Sequence, residues 1–122
     1  MSDQPSPAVV KLLQGAYAAF NARDVAAVLA VMHPDVDWPN VLEGTRLHGR
    51  DQVRQYWTRQ FESIDPQLEV QSISPDPEGR VVVEVLQVVR ALDGTLLDER
   101  RIKHRYMLHD GLVARMDVVP AN

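Results

Sequence analysis

Residues 81–119 read VVVEVLQVVRALDGTLLDERRIKHRYMLHDGLVARMDVV, and this stretch decides the fold. Val81 to Leu92 is rich in β-branched residues, which suit a pleated strand. Asp93-Gly94 and Asp110-Gly111 are hairpin turn signals, because tight two-residue turns need positive φ angles. Between them Thr95 to His109 reads as a second long strand, and Leu112 to Val119 as a third. Three strands joined by two such turns make an antiparallel meander.

Side chains alternate across a strand, so the faces can be sorted. In the first strand Val81, Val83, Val85, Gln87, Val89 and Ala91 form the more apolar set and are expected to face a core. In the second, the face with Leu97, Glu99, Arg101, Lys103, Arg105, Met107 and His109 is strongly charged. Its opposite, Leu96, Asp98, Arg100, Ile102, His104, Tyr106 and Leu108, is therefore expected inside. In the third strand Leu112, Ala114, Met116 and Val118 are the expected inward set. Val82, Leu86, Val88, Leu92, Leu97, Met107, Val113 and Val119 would then form an apolar outer band. Such a band marks an interface, and a homodimer through the backs of two sheets is the expected partner.

Upstream of the meander the period changes to that of helices. Residues 1–7 read as a tail, with Ser6 able to cap a helix and Pro7 fitting its first turn. Val9, Leu13, Tyr17 and Phe20 fall at helical spacing from Ala8 to Phe20. Asp24 caps a second helix, Val25 to Met32, which stops at His33-Pro34. Val36 and Trp38 alternate in a short strand ending at Pro39-Asn40, an edge position by its proline. Val41 to Gly49 reads as a flap or small hairpin. A third helix spans about Arg50 to Ile64, with Val53, Trp57, Phe61 and Ile64 on one face. Leu68 to Ser74 is a further strand. Helices first and sheet second is an α+β class. A curved antiparallel sheet around three N-terminal helices gives a half-open cone, in one domain over residues 8–119.

Composition narrows the function. The chain has 122 residues, 45% of them hydrophobic, which suffices for a core. Its net charge of −4 argues against a nucleic-acid binder. No apolar run reaches membrane-spanning length, and Met1 to Pro7 has no signal-peptide pattern, so a cytoplasmic protein is expected. Cysteine is absent, which excludes disulfides and thiolate chemistry. The four histidines have no metal-ligand spacing, and there is no phosphate-binding glycine loop or nucleophile elbow. Neither a metal nor a cofactor is expected.

Three motifs carry a family resemblance. They are Ala18-Ala19-Phe20-Asn21-Ala22-Arg23-Asp24 at the helix junction, Glu43-Gly44 with Leu47-His48-Gly49-Arg50-Asp51-Gln52-Val53 leading to Tyr56-Trp57, and Asp110-Gly111-Leu112-Val113-Ala114-Arg115-Met116-Asp117. With them the chain resembles the SnoaL-like branch of the nuclear transport factor 2-like superfamily, from about Val9 to Val119. The resemblance implies a cone-shaped α+β barrel of the cystatin-like type, often dimeric, with a pocket in its mouth. The fold hosts many chemistries, so each catalytic position must be tested separately. The Asp base of the ketosteroid isomerases matches Asn40. Their helical Tyr matches Ala16, one residue before Tyr17, and their protonated Asp falls near His104. The working triad of the limonene epoxide hydrolases matches Val85, Gln87 and Val118, with only their Asn kept, as Asn40. Steroid isomerisation and epoxide hydrolysis by those mechanisms are therefore unsupported. The polyketide cyclases use an Asp and a His deep in the cone. His104 fits the second, and Asp117 alternates outward.

His104 is the leading chemical candidate, as a general acid or base. Its structural alternative is a core histidine bonded to Asn40 or Gln87. Asn40 either orients a water or carbonyl, or satisfies strand-end backbone. Gln87 points inward and needs a partner, a ligand or His104. Trp38, Tyr17, Tyr106 and Met116 are candidate pocket walls, with plain core as the alternative. Tyr56 is a core residue whose hydroxyl can reach a ligand. Asp98 and Arg100 make either a rim salt bridge or a ligand contact. Glu43 either closes over a ligand or is solvated, and His33 serves a helix C-terminus. The expected ligand is a small, largely apolar organic molecule. The expected chemistry is cofactor-free proton transfer, of isomerase, cyclase or hydrolase type. The alternative is a non-catalytic binding or dimerisation module, which would account for the missing catalytic positions.

Overall fold

The computed structural model describes residues 6–40, 43–78 and 80–120. The expected tail over residues 1–5 and flap positions 41–42 lie outside them. Ser6 caps α1 (Pro7–Asn21) by accepting the Val9 amide at 3.2 Å, and Pro7 occupies the first turn. Its Leu13, Tyr17 and Phe20 are buried, a spacing that keeps them on one face. Asp24 caps α2 (Val25–Ala30) through the Ala27 amide at 3.2 Å. This helix stops two residues earlier than expected, because Met32 already belongs to β1 (Met32–Asn40). His33 is thus a strand residue, not a partner for a helix terminus.

β2 (Thr45–His48) pairs antiparallel with β1 and completes the small hairpin. α3 (Arg50–Phe61) follows Gly49, whose φ of +85° suits the residue without a Cβ. Val53 and Trp57 are its buried face. The chain leaves this helix at Phe61, and Ile64 opens β3 (Ile64–Pro75), longer than the expected Leu68–Ser74. β4 (Val81–Ala91), β5 (Leu96–His109) and β6 (Leu112–Pro120) are the meander.

The sheet order is β2-β1-β6-β5-β4-β3. One pairing, β1 with β6, is parallel, so the sheet is mixed rather than wholly antiparallel. Strand pattern could not orient that pair, since the two strands come from opposite ends of the chain. The sheet is not closed, and it curves around the three helices as an open cone. Leu13, Met32, Val36, Val53, Val83 and Val85 are fully buried between the layers.

Two register shifts correct the expected faces. Val89 pairs with Asp98 but Arg90 with Leu96, which is 50% exposed instead of inward. The second shift lies in β6. Met107 pairs with Arg115 but Leu108 pairs with Val113, so Ala114 is an extra residue in β6. The bulge turns Val113 inward, where it is 2% exposed, instead of into the outer band. It also removes Leu112 and Ala114 from the inward set, while Met116 stays buried.

Candidate functional site

Between the helices and the concave face lies a cavity of about 360 Å³. β5 runs along it, and Asp98, Arg100, Ile102, His104 and Tyr106 all line it. Alternate residues of a strand share a face, so Arg100 and His104 mark two depths about 13 Å apart. β4 adds Gln87 and Val89, and β6 adds Val113, Met116 and Val118. α1 contributes Leu13, Ala16, Tyr17 and Phe20. Trp38 lines the cavity without closing it; its ring stands edge-on to Trp57 at 5.5 Å. Tyr56, Trp57 and Gln60 of α3, Ile64, Pro66 and Leu68 of β3, and Val28, Val31, Met32 and Pro39 from α2 to β1 complete the wall.

Polar groups are few and gathered at two levels. At the mouth, Arg100 Nε donates to Asp98 Oδ2 at 2.7 Å. Both side chains are exposed enough for solvent to screen the pair. Gln87 stands opposite Arg100 in register. Its amide has no hydrogen-bond partner among the described residues and lines the cavity.

Deeper in, three side chains form one hydrogen-bonded chain. The Tyr17 hydroxyl lies 2.7 Å from His104 Nδ1 and 2.6 Å from the Tyr106 hydroxyl. All three residues are about 5% exposed. His104 and Tyr106 share a face of β5 because they are two residues apart, and Tyr17 comes from the inward face of α1. The chain admits two proton orders. In one, Tyr106 donates to Tyr17, which donates to Nδ1 and leaves a proton on His104 Nε2. In the other, Nδ1–H donates to Tyr17, which donates to Tyr106, and Nε2 carries a lone pair. Nε2 has no partner among the described residues.

Burial sets the electrostatics. Desolvation pushes the His104 imidazole down to about 4, so it is neutral at pH 7. Desolvation raises the hydroxyl of Tyr17, as do the charge and hydrogen bond of Tyr106. The Tyr106 hydroxyl is also raised by burial, against a lowering by its bond to Tyr17. The cluster therefore exchanges neutral hydrogen bonds, not charges, near pH 7.

Asn40 and Glu43, both candidates from the sequence, are not part of the cavity wall. Asn40 Oδ1 accepts the Glu43 amide at 3.1 Å, and the Asn40 carbonyl accepts the Gly44 amide at 2.9 Å. Its Nδ2 donates to Glu43 Oε2 at 3.3 Å, and Glu43 is exposed. Both side chains serve the turn between β1 and β2. His104 is bonded to neither Asn40 nor Gln87, the partners expected from sequence. Asp117 points outward, as its alternation suggested. There it joins Asp37, Arg46 and Arg115 in an ion-pair network. The Arg115 hydrogen bond holds the Asp117 carboxyl below the usual range.

The helix position facing His104 is Tyr17 and not Ala16, although both line the cavity. Tyr17, His104 and Tyr106 were each visible in the sequence as inward residues. Their hydrogen-bonded chain was not, because the packing of α1 against β5 is a tertiary contact across 87 residues. Gln60, Ile64 and Pro66 were missed as lining residues. Their only sequence signal was their place at the end of the amphipathic third helix.

A SnoaL-like domain matches residues 13–116. The chain belongs to the SnoaL-like family. No curated protein matches it. Solved structures similar to this SnoaL-like chain share its fold. One is TerC, co-crystallised with polyporic acid; it is 24% identical with a TM-score of 0.79, over 92% of this chain and 90% of its own. Another is a putative polyketide cyclase from Xanthomonas campestris pv. campestris, 24% identical with a TM-score of 0.79, over 96% and 91%. A third is a Mycobacterium tuberculosis protein in complex with estradiol-17β-hemisuccinate, 16% identical with a TM-score of 0.78, over 93% of each chain. At these identities the likeness concerns the fold, so chemistry in this SnoaL-like chain has to be argued from its own residues. Among the described residues no helix is long and apolar enough to cross a membrane.

Proposed function

We propose that the cone binds a small, largely apolar organic molecule and that His104 moves a proton on it without a cofactor. The observation that carries this is His104 Nε2, unpartnered among the described residues, on the wall of a mostly apolar cavity. Two of the structural relatives were crystallised with small organic molecules, which supports the ligand class. Trp38, Met116 and the two tyrosines supply the walls, and Gln87, Arg100 and Tyr56 meet the ligand's polar edge. Asn40 has no part in this mechanism, since the turn with Glu43 occupies it.

The neutral chain of hydrogen bonds suggests how the step avoids a buried imidazolium. In the proton order that leaves Nε2 bare, Nε2 takes a proton from a carbon beside a ligand carbonyl. Nδ1–H passes to Tyr17, the Tyr17 proton passes to Tyr106, and the Tyr106 proton passes to the carbonyl oxygen. A neutral enol results, and the chain has reversed its order. Return of the Nε2 proton to a carbon and of the enol proton to Tyr106 restores it. Charge never accumulates on His104, which matters because burial opposes its protonation.

The reading extends to the assembly and location. Leu92, Leu97 and Met107 are 63%, 55% and 40% exposed on the outer face, with half-buried Val82, Leu86, Val88 and Val119 beside them. A second copy of the chain covers this band, in a cytoplasmic homodimer. Sedimentation at micromolar concentration should show a dimer, and a monomer there would remove that part of the proposal.

The main test follows hydrogen–deuterium exchange beside the carbonyl of apolar aromatic ketones by NMR, with binding read from tryptophan fluorescence. The protein should bind and exchange, while His104→Gln binds without exchange. Unchanged exchange in that variant would remove His104 from the mechanism. Binding without exchange in the unaltered protein would leave the non-catalytic binding module.

A further inference from the structure

The start of β1 and the β5–β6 turn bring two imidazoles and a carboxylate together on the outside of the protein. We propose that His33, His109 and Asp110 form a binding site for a divalent transition-metal ion such as Zn²⁺, Ni²⁺ or Cu²⁺, with water completing the coordination. The two rings have centroids 5.4 Å apart and are tilted by 60°. One ligand atom from each of the three residues lies within 4.8 Å of the others. His109 Nε2 is 3.4 Å from Asp110 Oδ2.

The backbone supports this arrangement. Val113 N–H donates to the Val31 carbonyl at 2.9 Å, and Met32 pairs in register with Val113, so the two segments are joined beside the cluster. Asp110 has a φ of +54° and Gly111 of +75°, which fixes the turn that presents the carboxylate. Donors around a tetrahedral ion at Zn–N distances are about 3.4 Å apart. His109 and Asp110 already stand at 3.4 Å, and no pair has to close by more than roughly 1.4 Å. The side chains of His109 and Asp110 are 66% and 78% exposed, so rotamer adjustments can supply the movement.

Imidazole nitrogens with one carboxylate suit the borderline metals and not Mg²⁺ or Ca²⁺, which prefer all-oxygen sites. One local bond competes. His33 Nδ1 accepts the Asp35 amide at 3.0 Å. Asp35 is exposed, so water replaces that bond when the ring turns to the ion. A bound ion ties β1 to the β5–β6 hairpin, next to Met32 and Val113 of the cavity wall. The site is separate from the His104 cluster and does not depend on the proposed chemistry.

The test is calorimetric titration of ZnCl₂ and NiCl₂ into the full chain without an affinity tag. One ion per chain should bind saturably, and the thermal midpoint should rise with the ion concentration. Groups that merely orient a metal ligand are worth roughly 10–100-fold in affinity. His33→Ala and His109→Ala should therefore each weaken binding at least about tenfold. Asp110→Asn keeps a residue that tolerates positive φ and should also weaken it. His48→Ala, in β2, should bind as the unaltered protein does. No saturable binding would overturn the site. So would unchanged affinity in His33→Ala with its circular dichroism intact, since the ion would then sit elsewhere.

Discussion

Replacing Tyr17 by Phe tests the hub of the buried chain. The change removes one oxygen and two hydrogen bonds, to His104 at 2.7 Å and Tyr106 at 2.6 Å. Each partner is about 5% exposed and loses its only side-chain hydrogen bond among the described residues. An unsatisfied buried polar group costs about 1–3 kcal/mol. Two such groups, less the gain from burying a more apolar ring, give a loss of about 2–4 kcal/mol. Tyr106→Phe is the control. It breaks one bond but leaves Tyr17 donating to His104, so about 1 kcal/mol is expected. For a chain of this size 1 kcal/mol shifts the midpoint by roughly 4 °C. Tyr17→Phe should then melt about 8–16 °C lower, and Tyr106→Phe about 4 °C lower. Urea unfolding followed by Trp38 and Trp57 fluorescence at pH 7.5 measures both, with equal m-values required for comparison. If Tyr17→Phe costs no more than Tyr106→Phe, Tyr17 is not the hub, and the relay through it goes too.

Acid stability reports His104. Its folded value of about 4 lies below the ordinary 6.5, so stability is full above pH 6.5 and falls as the pH drops towards 4. At 1.36 kcal/mol per pH unit this amounts to about 3 kcal/mol. His104→Gln should flatten stability across that window, and an unchanged slope would show that His104 takes up its proton normally. In the outer network Asp37 bridges Arg46 and Arg115 at 2.6 and 2.9 Å, at 24% exposure. Asp37→Asn should cost about 1 kcal/mol by thermal melting, and less in high salt. Leu29 of α2 is 3% exposed and outside the cavity wall, so Leu29→Ala should cost about 2–5 kcal/mol in urea. Leu97→Ala should leave the monomer's stability within about 0.5 kcal/mol, and any loss that grows with protein concentration reports the proposed interface.

Much of the fold was readable where period and turn chemistry agree. Asp110-Gly111 predicted a turn with positive φ at both residues, and both have it. The alternation in β4 and β5 placed Val83, Val85, His104 and Tyr106 inside, because a face buried on one side tolerates no slip of register. β6 was misread at Val113 because a bulge adds one residue without a sequence mark. β1 was read short at its start, since His33-Pro34 looks like the end of a helix and is in fact strand.

The sequence by itself determined the α+β class, the inward faces of β4 and β5, and the family. The class and the faces depend on local periodicity, which survives in a linear chain, and the family on three short motifs. Tertiary structure alone decided that Tyr17, and not Asn40 or Gln87, holds His104. It alone kept Trp38 from filling the cone and set His33 beside His109. Each of these rests on how one element packs against another across tens of residues. Helical and strand periods say which face turns inward, but not which residue on the facing element it will meet.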